Sequence, residues 1–206
     1  MRILAIGAHP DDIELGLGAS IVKHVTAGDE VHAIVLTAGA VGIPDGAPYE
    51  LRTNETERAL RHLGCTSILQ HDFPDTDLLN HIPQMIRFLE REIASIKPDR
   101  VYTMFRDDRH QDHRAVFQAS DVACRAVPQI LMYETPSAYP AFVPTVFNVV
   151  TAEQMQRKRE ALAMHESQKH RLYMDQRSIA AAGKFRAVQI GVDGDAEAFM
   201  AHKFIL

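Results

Sequence analysis

Ile3-Leu4-Ala5-Ile6-Gly7-Ala8-His9-Pro10-Asp11-Asp12-Ile13-Glu14 is an apolar run that stops abruptly in a histidine, two adjacent aspartates and a glutamate. A near-continuous apolar stretch without alternation reads as a strand buried on both faces, as in a parallel sheet. Gly16 and Gly18 follow, and then a helical pattern begins. The first strand therefore delivers its polar residues to its own C-terminal edge, where open α/β sheets bind their ligands. Clustered carboxylates at such a place repel one another and are costly to desolvate. A divalent metal supplies the missing positive charge. His9 and Asp12 are three apart across a turn that Pro10 stiffens, so both can face one point while Asp11 is aimed elsewhere. An imidazole and a carboxylate suit zinc in a three-ligand catalytic site that keeps a position open for water. The third ligand must come from further along the chain.

The pattern beyond this point alternates strands and helices. Arg2 to Ala8 is predicted as the first strand, Gly16 to Ala27 as the first helix, and Val31 to Thr37 as the second strand. Val41 to Tyr49 carries Gly42, Pro44, Gly46 and Pro48 and reads as a loop at the rim of a pocket. Glu50 to Leu63 is a helix with Gly64 as its stop. Arg52 lies in its first turn, an odd place for a cation on helix-dipole grounds, and reads locally as a solvated or paired surface residue. Ser67 to His71 is a third strand. An acidic loop follows it, in which Asp75 and Asp77 read as helix caps or solvated groups, while Asp72 and His71 lie nearer the sheet edge. Ile82 to Ile96 has its apolar residues on one helical face.

Val101 to Phe105 is a fourth strand, and it ends in a second burst of ionisable residues, Arg106-Asp107-Asp108-Arg109-His110-Gln111-Asp112-His113. A helix is expected from Ala115 to Ala126. In the doubly wound order 3-2-1-4 the fourth strand lies beside the first, so the two polar bursts meet across the switch point. His9, Asp12 and His113 then make a metal set, with His110 and Asp112 beside it and Asp11 free to act as a base. Taken singly, each has a plainer reading: a buried hydrogen-bonded His9, an Asp11 or Asp12 helix cap, a surface turn at His110 to His113. Their conjunction at two strand ends of one sheet favours a site. Gln129 to Tyr133 is a fifth strand, Thr145 to Val150 an edge or antiparallel strand, and Thr151 the N-cap of a long helix towards Gln168. The remainder reads less clearly: a weak helix from His170 to Ala182, a short strand at Val188 to Gly191, and a short helix or edge segment from Ala196 to Phe204.

The bulk properties agree with one α/β domain over residues 1–206, a Rossmann-like, mostly parallel sheet flanked by helices. The chain is 46% hydrophobic and 24% charged, with a net charge of −5, which argues against a nucleic-acid or anionic-membrane partner. The apolar N-terminal stretch is too short for a membrane span or signal peptide, so a cytoplasmic location is expected. Cys65 and Cys124 are isolated and read as reduced core thiols. An apolar edge strand or the C-terminal segment is a candidate surface for a homo-oligomer.

Ala8-His9-Pro10-Asp11-Asp12-Ile13-Glu14 together with His110-Gln111-Asp112-His113 resembles the PIG-L/LmbE-like zinc N-deacetylases. Arg52-Thr53-Asn54-Glu55 with Ala59 and Leu63-Gly64, Tyr133 to Ser137, and Ala163 to Gln168 extend the resemblance over most of the chain, weakening after Arg171. It implies hydrolysis of the acetamide of an N-acetylglucosamine-type conjugate, a small molecule. It also implies zinc on His9, Asp12 and His113, Asp11 as general base, His110 as oxyanion stabiliser and acid, and Arg52 on sugar hydroxyls. Asp108-Arg109-His110 is most similar to the bacillithiol-pathway members, which act on N-acetylglucosaminyl-malate, and makes Arg109 a further candidate substrate contact. Mycothiol-pathway members have a Tyr where this chain has Asp108.

The residue types fit this chemistry. Zinc lowers the pKa of bound water to about 7. Asp11 can accept the water proton, a protonated His110 can meet charge on the carbonyl oxygen, and Asp112 can hold His110 in its working tautomer. Such His/Asp sites also accept Fe(II) or other divalent ions. Two rival readings are a metal-dependent phosphoesterase and a catalytically silent sugar- or metabolite-binding protein. The first is weakened by too few ligands for two metals, the second by the presence of Asp11 and His110, which zinc binding alone does not need.

Overall fold

The computed structural model describes residues 1–205. β1 (Arg2–Gly7) lies inside a seven-stranded sheet, flanked by β2 (Glu30–Val35) and β4 (Arg100–Met104). β3 (Ser67–Gln70) continues the sheet beyond β2; β5 (Gln129–Tyr133), β7 (Asp195–Phe204) and β6 (Val146–Val150) continue it beyond β4. The order is therefore β3-β2-β1-β4-β5-β7-β6, with the 3-2-1-4 core expected from the sequence. β1 to β5 pair in parallel, and β7 runs antiparallel to both β5 and β6. The core is built from the apolar runs themselves: Ile3, Leu4, Ala5 and Ile6 of β1 have no solvent exposure at all.

Among the described residues, six α-helices flank the sheet. α1 (Asp12–Thr26), α2 (Leu51–Leu63) and α5 (Ala152–Ala163) pack on one another, α3 (Ile82–Ile96) packs on α4 (Gln111–Ala123), and α6 (Gln176–Gln189) packs on β7. Thr151 caps α5 as expected, in a reciprocal pair with Gln154 that satisfies both backbone N–H groups. Both cysteines are free and buried. Among the described residues no helix is long and apolar enough to cross a membrane.

Two helices start earlier than their apolar periodicity suggests, and this matters for the site. α1 begins at Asp12 and not Gly16, and α4 at Gln111 and not Ala115. Asp12, Asp112 and His113 therefore lie in first turns of helices, with His9, Asp11 and His110 just before them, close to the sheet edge. α1 is also broken at Leu17 (φ −147°, ψ 21°). There Gly16 sits so tightly on Tyr133 that a Cβ would fall 2.1 Å from the ring. The hydrogen bonds lost at the break are replaced by two buried charges from distant segments. Lys158 Nζ donates to the Leu15 carbonyl (2.7 Å), and Glu197 accepts from the Ala19 and Ser20 N–H groups (3.1 and 2.6 Å). Lys158 and Glu197 also pair with each other at 2.6 Å.

The C-terminal third departs most from expectation. Residues 195–204 are neither helix nor edge but an interior strand, bonded on both sides and burying Ala196, Ala198 and Phe199. The edge is β6. Val188 to Gly191 is the end of α6 and a turn, not a strand. The long helix expected up to Gln168 stops at Ala163, and α6 starts at Gln176, where the Asp175 carboxylate accepts from the Arg177 and Ser178 N–H groups.

Candidate active site

β1 and β4 run side by side in parallel register, and the turns at their C-terminal ends bring the two polar bursts together. The turn after β1 is tight: the Asp12 N–H donates to the His9 carbonyl (3.3 Å), and Asp12 Oδ2 accepts the His9 N–H (2.8 Å). It is made possible by Asp11, whose φ of 105° lies in the left-handed region that a non-glycine residue rarely enters. Asp11 precedes α1 but makes no capping hydrogen bond. Its carboxylate is therefore left to the site.

Asp12 stands between two imidazoles. Its Oδ2 lies 3.4 Å from His9 Nδ1 and its Oδ1 lies 3.2 Å from His113 Nε2. Each imidazole is held by a second carboxylate on its other nitrogen. His113 Nδ1 lies 3.0 Å from Asp108 Oδ2, and His9 Nε2 lies 3.1 Å from Asp112 Oδ2 and 3.2 Å from Asp75 Oδ1. These carboxylates are anchored in turn. Asp108 accepts from the His110 N–H and the Thr135 hydroxyl, Asp112 from the Thr76 and Leu78 N–H groups, and Asp75 from the Val41 N–H. Burial opposes charge on both histidines, but the carboxylates outweigh it. They hold the His9 pKa well above its ordinary value, with Asp112 and Asp12 foremost, and lift that of His113 to about 9, with Asp12 and Asp108 foremost. Burial alone would raise Asp12; the two imidazoles, His113 first, bring it well below the usual carboxylate range.

This donor set fits a divalent ion. His9 Nδ1 and His113 Nε2 face the two oxygens of one carboxylate, at 3.4 Å from Asp12 Oδ2 and 3.2 Å from Asp12 Oδ1, and two imidazoles with a carboxylate are donors that zinc takes. Carboxylates on the far imidazole nitrogens are the usual supports of histidine ligands, fixing tautomer and ring orientation. His110 is nearby: its donor nitrogen and those of His9 and His113 all lie within 4.8 Å of one another. A second group, His9 with Asp75 and Asp112, also converges within 4.8 Å. Its carboxylates face His9 Nε2, the nitrogen turned away from Asp12, and support that imidazole from its far side.

The remaining predicted residues fall as follows. Asp11 is buried, with Arg52 Nη2 at 3.2 Å; burial, against the pull of Arg52, raises its pKa to about 6. Arg52 is 6% exposed and not a surface residue. Its guanidinium donates to the Gly39 and Pro10 carbonyls as well as to Asp11. Gly39, at φ +65°, makes room for it: a Cβ there would stand 2.5 Å from Arg52 Nη1. His110 caps α4 through its own Nδ1, which accepts the Asp112 N–H at 3.3 Å. Asp112 thus meets His110 through its backbone alone; its carboxylate orients His9, which corrects the role expected for it. Burial, with help from His9 and His113, holds the His110 pKa below 6.5. Arg109 is exposed at the rim over the Tyr139 ring, with no ion pair among the described residues.

Asp75 and Asp108 were missed as site residues, Asp75 because its loop reads as capping chemistry, Asp108 because its neighbours drew the metal reading. Asp72 bonds Tyr49 and His71 stacks on Phe73; neither lines the cavity. The Ala163 to Gln168 stretch supports the site from below. His165 faces Glu14 (3.0 Å), Ser167 donates to Glu55, and Gln168 donates to the Gly42 carbonyl. The whole assembly opens into a cavity of about 460 Å³ that includes His9, Asp11, Asp12, Arg52, His110 and His113 in its lining. Val41 and Gly42 contribute to it from the loop expected at the rim, and Ser137 from the segment after β5.

Comparison with known proteins identifies the family of the chain. The model of the family "PIG-L: GlcNAc-PI de-N-acetylase" matches residues 4–124, which carry both polar bursts. "Uncharacterized deacetylase YaiS" of Escherichia coli (strain K12) is 48% identical over 170 residues, 80% of this chain and 90% of YaiS. "Diacetylchitobiose deacetylase" of Thermococcus kodakarensis is 29% identical over 194 residues, 81% of this chain and 70% of that protein. Among solved structures, the conserved protein TT1542 from Thermus thermophilus superposes with a TM-score of 0.87 at 25% identity, covering 99% of this chain and 95% of its own. Family model, relatives and fold agree, and the chain belongs to the PIG-L deacetylase family.

Proposed function

We propose that this enzyme is a metal-dependent hydrolase that removes acetyl from an N-acetylated amino-sugar conjugate of the N-acetylglucosamine type. The observation that carries the reading is Asp12 set between His9 and His113, each imidazole braced by its own carboxylate, with Asp11 buried beside them and bound to no ligand residue. His9, Asp12 and His113 would hold the ion, with zinc the best match to the donor set. When bound, it supplies a lowered pKa for water and polarisation of the acetamide carbonyl.

The chain's own residues do the rest. Asp11 takes the proton of the attacking water. Arg52 keeps Asp11 in place and presents its guanidinium at the cavity wall, where sugar hydroxyls would reach it. His110 accepts a backbone N–H at Nδ1, so in the neutral ring Nε2 carries the proton. It donates that proton in a hydrogen bond to the carbonyl oxygen as negative charge develops there. Its lowered pKa favours this neutral form over the imidazolium expected from sequence. Losing such a donor costs about 100–1000-fold in rate. The C–N bond then breaks, acetate is released, and the proton held by Asp11 passes to the leaving amine.

The test is acetate release from N-acetylglucosamine conjugates, with phosphate release from phosphoesters run beside it. Acetate without phosphate supports the reading. Phosphate alone favours a phosphoesterase, and tight sugar binding without either product favours a binding protein.

A further inference from the structure

A second cleft adjoins the catalytic cavity. It has a volume of about 430 Å³, within the usual range for ligand pockets. α5, α6 and β7 bound it, and it shares Leu15, Thr135, Pro136 and Tyr173 with the catalytic cavity. Those four residues line both spaces, so the two lie side by side. A substituent on a sugar held in the first would enter the second by extending past them.

The chemistry of this cleft differs from that of its neighbour. Every ionisable side chain in its wall, the tyrosine apart, has its counter-charge in the same wall: Lys158 pairs with Glu197, and Arg186 with Glu134. The Lys158 ammonium is further committed to the Leu15 carbonyl, where it mends the break in α1. No free charge remains to recognise an ion. What the wall offers is apolar surface from Leu15, Met155, Ile179, Ala182 and Phe185, the last 58% exposed at the rim. An uncharged apolar group gains by leaving water for such a surface, and a charged one loses.

We propose that this cleft is a subsite for an uncharged apolar group carried by the substrate, next to its N-acylated sugar. The group can sit on the glycosidic oxygen or extend the acyl chain; the chemistry of recognition is the same. The proposal rests on the deacetylase reading for the identity of the sugar, but its test reads binding separately from turnover.

Three ligands are titrated calorimetrically into zinc-loaded Asp11→Asn protein, which keeps the metal and does not turn them over on the time of the titration: the methyl glycoside of N-acetylglucosamine, its hexyl glycoside, and the methyl glycoside of N-hexanoylglucosamine. The cleft substitutions are made in the same background. One hexyl-bearing ligand binds about tenfold or more tighter than the methyl parent, and which one does so identifies the source of the apolar group. Ala182→Phe, which fills the cleft from α6, brings that ratio to near one. Phe185→Ala, at the exposed rim, lowers it. Hexyl ligands that do not bind, or that bind within about twofold of the parent, overturn the subsite. So does a hexyl preference that survives both substitutions. Release of acetate, or of hexanoate from the N-hexanoyl ligand, is measured in parallel with the zinc-loaded parent enzyme. A hexyl preference without release of either carboxylate refutes the deacetylase reading and leaves the subsite standing; release of carboxylate without the preference does the reverse.

Discussion

Lys158→Met is the most demanding test of how the C-terminal segment supports the site. In the native protein Lys158 Nζ lies 2.7 Å from the Leu15 carbonyl and 2.6 Å from Glu197, and both side chains are almost fully buried. Methionine keeps the stem and removes the ammonium. Glu197 is then a buried carboxylate with two backbone N–H partners and no counter-charge, and the Leu15 carbonyl is orphaned at the helix break. Removing one partner of a buried ion pair costs about 3–5 kcal/mol. That is a large share of the roughly 5–15 kcal/mol that holds a domain folded. Urea unfolding followed by circular dichroism reads the loss as a lower midpoint at unchanged slope. Glu197→Gln in the Lys158→Met background removes the stranded charge, so the double variant loses less than the sum of the singles, by about 1–3 kcal/mol. A loss below about 1 kcal/mol in Lys158→Met, or strict additivity, would show that the pair does not mend the break.

Three further outcomes are expected. Asp11→Asn retains the metal content of the parent by mass spectrometry and loses about 100- to 10,000-fold in kcat; an active variant removes Asp11 as the base. Asp108→Asn frees His113 Nδ1 from its carboxylate and weakens metal binding about 10–100-fold in a chelator competition; unchanged affinity would show that Asp108 does not orient the ligand. His24 bonds Asp29 and the Tyr102 hydroxyl, and burial, against the pull of Asp29, holds its pKa below 6.5. The unfolded chain therefore takes up the proton first, and stability is lost as pH falls from about 6.5 through the lower folded value. His24→Gln lacks this loss, so the stability gap between parent and variant narrows from about pH 8 to pH 5; a gap independent of pH contradicts the assignment.

The heart of the site was legible because its signals are local. A buried strand that ends in ionisable residues declares a sheet edge, and two such endings on neighbouring strands declare a meeting point. His9, Asp12 and His113 come together for that reason. Asp75 and Asp108 were not legible because their partners are distant or indirect: Asp75 meets His9 from the loop after β3, and Asp108 works on His113 five residues away through the turn before α4. Arg52 misled in the other direction. Its position in a helix first turn suggested solvent, yet its guanidinium ends among the Gly39 and Pro10 carbonyls, contacts that no helical period encodes. Residues 196–204 carry alanine, glutamate and methionine, which favour helix in isolation, and became a strand because β5 and β6 each offer an unpaired edge.

Acetate release from N-acetylglucosamine conjugates by metal-stripped and zinc-reloaded protein tests the central claim most directly. The expected result is release from at least one conjugate that is lost on stripping and restored by zinc, and that His113→Ala does not recover on reloading. Release that is indifferent to stripping, or fully restored by zinc in His113→Ala, would contradict it.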